Sequence, residues 1–167
     1  MRTFLTVVLL LLSAVPPLAH SASLAEPDAQ HRQLAALEGH WTVKQSLWMG
    51  SAEPKIDNGT ADFALVLNGR HLRQILRIND GTGFEGLGYF GYDGSQAFST
   101  WMDINFPGMV VAYGSAGEGA WELRGHLPDG AAVREVLTVT DASHMRYQFY
   151  ETHDGAEKLA VQLDYSR

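Results

Sequence analysis

Beyond Gly39 the chain reads as short runs in which apolar and polar residues alternate, separated by clusters of Gly, Asp, Asn and Pro. Period-two alternation is the signature of strands with two different faces. His40–Met49 places Trp41, Val43, Leu47 and Met49 on one face. Gly59–Leu67 and Arg70–Ile78 follow, the latter with Leu72, Leu76 and Ile78 opposite His71, Arg73 and Arg77. Phe84–Ile104 holds two more runs, and Phe106-Pro107-Gly108 then breaks the pattern. Met109–Ser115, Ala120–Leu127, Ala131–Thr140 and His144–His153 continue the alternation. Val133, Leu137 and Val139 mark one face of the third of these, and Met145, Tyr147 and Phe149 one face of the last. Glu157–Tyr165 closes the chain, with Leu159, Val161, Leu163 and Tyr165 on one face. This predicts about ten strands joined by hairpins, an all-β antiparallel up-and-down barrel with no free sheet edge. Ala29–Leu37, with Leu34 and Leu37 on one side and Gly39 as its stop, predicts a short helix plugging one end.

The stretch Phe84–Ile104 is the central hairpin. Asn68-Gly69, Asp93-Gly94 and Asp154-Gly155 are strong turn signals, because glycine takes positive φ at no steric cost. A two-residue turn at Asp93-Gly94 sets Tyr92 against Ser95, Phe90 against Ala97 and Gly86 against Trp101. A three-residue turn would flip one strand relative to the other. On the two-residue register one face carries Phe84, Gly86, Gly88, Phe90, Tyr92, Trp101 and Asp103, and a glycine without a Cβ makes room for the indole. Asp103 is the odd member of that face. It is expected to form a structural ion pair with an arginine such as Arg73 or to serve as a polar anchor in a pocket, the remaining alternative being that it points to water near the strand end.

Composition narrows the class. The 167 residues fit one domain, and cysteine is absent, which excludes disulfides, thiol nucleophiles and iron–sulfur clusters. A net charge of −7 argues against nucleic acid and anionic membrane surfaces as partners. Met1-Arg2, the apolar run Thr3–Val15 and the small residues around Ala19–Ala22 match a secretory signal peptide. The expected organisation is a leader over residues 1–22 and a barrel over 23–167, periplasmic or secreted, with no membrane contact after cleavage.

A set of short motifs follows in order: Leu37-Glu38-Gly39-His40-Trp41, Leu67-Asn68-Gly69-Arg70, Phe84-Glu85-Gly86, Gly91-Tyr92-Asp93, Trp101-x-Asp103 and Tyr165-Ser166-Arg167. Together they resemble a bacterial domain-of-unknown-function family, numbered 1579, over roughly Leu34 to Arg167. The resemblance implies a lipocalin-like, calycin-type barrel and carries no established activity. The Gly-x-Trp at Gly39–Trp41 is shared with lipocalins generally, and implies a ring packed across the closed end of the barrel.

No catalytic signature is present. The Gly86-x-Gly88-x-x-Gly91 spacing lies inside strands with no following helix, so it lacks the phosphate-cradling geometry of a dinucleotide site. The histidines are scattered singly, so no metal site or cofactor is expected. His144 or His153 could imitate a barrel family that holds haem through one strand histidine, but a surface imidazole is the simpler reading. The leading expectation is a monomeric or weakly dimeric barrel binding a small apolar or amphipathic molecule. Phe84, Phe90, Tyr92 and Trp101 would line the pocket, and Asp103 with Arg73 would orient a polar group. The alternatives are a barrel enzyme using Asp103 or a barrel histidine as acid or base, and a filled barrel acting as an interaction module of the envelope.

Overall fold

The computed structural model describes residues 26–167 apart from Asp28, Met49 and Glu118. The expected leader and the inward placement of Met49 lie outside the described residues. A helix, α1 (Ala29–Ala35), precedes β1 (Gly39–Leu47), β2 (Lys55–Val66), β3 (His71–Ile78), β4 (Phe84–Tyr92) and β5 (Ala97–Asp103). Then come β6 (Phe106–Gly117), β7 (Ala120–His126), β8 (Ala132–Asp141), β9 (His144–His153) and β10 (Ala156–Ser166). Every strand pairs antiparallel with its neighbours in sequence, and β1 pairs with β10, so the sheet closes into the up-and-down barrel that the alternation predicts. Alternation also decides which side chains enter. In β3, Leu72, Gln74, Leu76 and Ile78 are buried, while His71, Arg73 and Arg77 point outwards.

Odd-numbered strands run from the helix-capped end to the open end, and even-numbered strands return. The capped end is a continuous apolar plug in which Leu34 and Leu37 meet Trp41, Leu72, Trp121 and Met145. Trp41 lies across this end, as the Gly-x-Trp motif implies, and is 1% exposed. Its Nε1 donates to the Leu37 carbonyl at 3.0 Å. The Arg167 guanidinium stacks on the ring at 4.2 Å from its centroid. Arg167 also donates to the carbonyls of Glu38 at 2.7 Å, Ala142 at 2.8 Å and Ala36 at 3.1 Å. The last residue of the chain thereby satisfies carbonyls left over beyond the helix and ties α1 to the β8–β9 turn.

Four local expectations are corrected. The loop at Asp93-Gly94 spans four residues, so Tyr92 pairs with Ala97, Phe90 with Ser99 and Gly88 with Trp101. The cause is the Asp93 side chain, whose Oδ1 accepts from the backbone N of Ser95 and Gln96 and from the Ser95 hydroxyl. The shift is two residues, so both faces keep their members. Phe106-Pro107-Gly108 does not break the chain but starts β6, because a two-residue turn at Ile104-Asn105 brings Phe106 back against Asp103. β2 begins at Lys55, not Gly59, by pairing with the end of β1. Finally, a bulge at Ala160 sets Leu159 opposite Tyr150 and Val161 opposite Phe149. Leu159 therefore leaves the inward face, and the Ala160 carbonyl accepts from Trp48 N at 2.9 Å.

Arg167→Ala removes a cation stacked on an indole and three charge-assisted hydrogen bonds, and is expected to lower the unfolding free energy by about 2 kcal/mol. Urea denaturation of the two proteins measures this directly, and an unchanged midpoint would contradict the capping role.

Candidate functional site

The barrel is hollow between its apolar plug and its open end. A cavity of about 580 Å³ lies there. Its walls carry Leu76, Phe84, Phe90, Trp101, Phe149 and Val161. At mid-height the wall turns polar, with Gln45, Gln74, Ser99, Glu135, Tyr147 and Tyr165. Asp80, Asp103, Asn105 and Glu151 come from the open-end turns and strand ends and form the mouth.

The apolar wall depends on two glycines. The indole of Trp101, on β5, lies flat on the backbone of β4, where a Cβ on Gly86 would overlap the six-membered ring and one on Gly88 would press on its edge. Two bare positions thus let a large ring lie along the wall and leave the lumen open. Trp101 Nε1 donates to Asp103 Oδ2 at 2.8 Å, and Asp103 Oδ1 accepts from Asn105 N at 2.8 Å. The carboxylate that the sequence assigns to Arg73 is therefore held by the neighbouring indole and by its own turn.

Phe84, Phe90, Trp101 and Asp103 line the cavity. Arg73 does not. It occupies an outward position of β3, paired with Ala64 and Tyr89, because it alternates with the inward Leu72 and Gln74. Tyr92 also falls outside the cavity. It is the last residue of β4 at the capped end, where its ring meets that of His31 edge-on at 6.1 Å. Among the described residues no histidine lines the cavity. His144 and His153 sit in exposed pairs with Asp141 and Glu151. Among the described residues no group of three His, Asp or Glu side chains could hold a metal ion.

The polar layer escapes a reading that looks only for apolar alternation. Glu135 lies between Val133 and Leu137 on the inward face of β8 and is 3% exposed. Its Oε2 accepts from Ser99 Oγ at 2.6 Å, and Tyr147 hydrogen-bonds the same carboxyl. Burial pushes this carboxyl from its ordinary 4.5 up to about 7, against the lowering effect of the Ser99 and Tyr147 hydrogen bonds. Beside it, Gln74 Nε2 donates to the Tyr165 hydroxyl at 2.9 Å. Burial raises the phenol of Tyr147, with the Glu135 charge adding to the effect, and burial also raises that of Tyr165. The layer offers a carboxyl, two amides and hydroxyls to anything entering from the mouth.

A carboxyl that holds its proton more tightly in the folded chain carries the extra proton between pH 4.5 and about 7, so stability is full below that window and falls as pH rises through it. The displacement corresponds to on the order of 3 kcal/mol. Glu135→Gln keeps the shape and an acceptor for Ser99. It is expected to be more stable than the parent by about 1–3 kcal/mol at pH 8 and to lose that advantage at pH 4. Urea denaturation at the two pH values tests this, and a difference independent of pH would contradict it.

A family model described as "Protein of unknown function (DUF1579)" matches residues 26–167. No curated protein matches the chain. Among solved structures, EF1p2_mFAP2b bound to DFHBI is similar at 12% identity and a TM-score of 0.46, covering 83% of this chain and 99% of that one. A redesigned β-barrel is similar at 14% identity and a TM-score of 0.42, covering 81% of this chain and 95% of that one. Both likenesses are remote, and the barrel assignment rests on the strand pairing itself.

Proposed function

We propose that this chain, which belongs to the DUF1579 family, is a small-molecule-binding barrel that takes an apolar or amphipathic compound into its interior. The observation that carries this reading is the cavity of about 580 Å³, walled by aromatic and aliphatic side chains and carrying a cluster of polar ones. Ligand pockets are typically about 300–1,000 Å³, mostly apolar, with a few converging polar groups. Affinity would come from burying apolar ligand surface at about 25 cal/mol per Å², with the polar layer setting orientation. The apolar N-terminal run of Thr3–Val15 supports export, and the proposed site of action is the periplasm or the exterior. A filled barrel acting only through its surface would not keep such a space. An enzyme built on Asp103 or a barrel histidine is disfavoured, since both Asp103 oxygens are engaged by Trp101 and Asn105 and no histidine among the described residues lines the lumen.

Native mass spectrometry of the protein purified from its own host is expected to show a bound small molecule that unfolding releases. A bare polypeptide mass, together with no saturable quenching of tryptophan fluorescence by apolar compounds, would overturn the reading. Gly86→Ala is expected to push the Trp101 ring into the lumen and weaken binding of the same molecule about tenfold, roughly 1.4 kcal/mol. Unchanged affinity would show that the glycine–indole wall does not shape the site.

A further inference from the structure

We infer that the compound this cavity takes carries a basic nitrogen: an amphipathic cation whose apolar body lies along Phe84, Phe90 and Trp101 and whose nitrogen reaches Glu135. This rests on reading the barrel as a small-molecule receptacle, and names the ligand class.

The charges of the lining carry the argument. Four carboxyl side chains, Asp80, Asp103, Glu135 and Glu151, line the cavity, and among the described lining residues there is no Lys, Arg or His. An anionic headgroup would leave water for a lumen with no counter-charge and would meet Glu135 at mid-height. The groups around Glu135 are neutral on each strand that contributes to the polar layer: Gln45 on β1, Gln74 on β3, Ser99 on β5, Tyr147 on β9 and Tyr165 on β10. Ser99 and Tyr147 hydrogen-bond the carboxylate, but none of these groups can neutralise it, and a buried carboxylate without a cation is destabilised. At the open end Lys55 is engaged by Asp57 at 3.0 Å, and the His153 ring meets Glu151 at 2.8 Å. A ligand nitrogen would supply the missing charge. The wall adds to this, since an indole or phenyl face attracts a cation that an aliphatic wall would not. The acidic mouth and the net charge of −7 favour the approach of cations over anions.

The test is isothermal titration calorimetry, on protein purified from cells expressing the full chain, with decylamine, decanol and decanoate. These three probes share one apolar chain and differ in headgroup charge. At pH 8 decylamine is expected to bind about tenfold or more tightly than decanol, with decanoate weakest. At pH 5, where Glu135 is protonated, decylamine should weaken about ten- to hundredfold while decanol is unchanged. Glu135→Gln should retain decanol binding and lose both the preference for the amine and its pH dependence. Decanoate binding as tightly as decylamine would overturn the inference and leave the receptacle reading standing. So would an amine preference that survives in Glu135→Gln, because it would then belong to the mouth carboxylates. If none of the three probes binds, the receptacle reading falls along with the inference.

Discussion

The β1–β10 pairing is the constraint from which the rest of the structure follows. Side chains alternate across a strand, so closing ten strands into one sheet commits every second residue to a single lumen. Thr42 opposite Ser166 and Val43 opposite Tyr165 set that closure. The Arg167 side chain then carries the seam over to the Trp41 ring and the carbonyls beyond α1. A slip of one residue at the seam would exchange inward and outward faces of the closing strand and turn Leu163 and Tyr165 to water.

Most of this architecture is legible in the sequence because period-two alternation is a direct record of which side faces the lumen. Leu72, Leu76 and Ile78 announce the inward face of β3, and Trp41 the closed end. The departures come where side chains or bulges reset the count. Asp93 captures Ser95 and Gln96 and so lengthens its turn, and the Ala160 bulge turns Leu159 out. Neither event leaves a mark in a hydrophobicity pattern. Charge alone suggests Arg73 as the partner of Asp103, but the alternation that places Leu72 inside places Arg73 outside. The polar layer is the opposite case. Gln45, Gln74, Ser99 and Glu135 all occupy inward positions by simple counting, and a search for apolar residues passes over them.

The site departs from what stability alone would select. A filled barrel would set aliphatic side chains where Gly86, Gly88 and Ser99 stand, and an apolar residue where Glu135 stands. Instead, two glycines let the indole lie against the wall, and a carboxyl is kept out of water with only neutral donors around it. Buried polar groups that burden the fold are concentrated where proteins keep their functional sites. Here they line the same cavity as an apolar aromatic wall and an acidic mouth.

The closed and hollow barrel is tested most directly by the titration of Glu135 in the ligand-free protein, followed through its side-chain carboxyl carbon by NMR. Glu135 is 3% exposed in the lumen wall, where packing against the protein withholds solvent from its carboxyl, and the predicted midpoint is about 7. A midpoint at the ordinary 4.5 would mean that Glu135 stands in water, and would contradict the inward, buried placement that the closed sheet gives it.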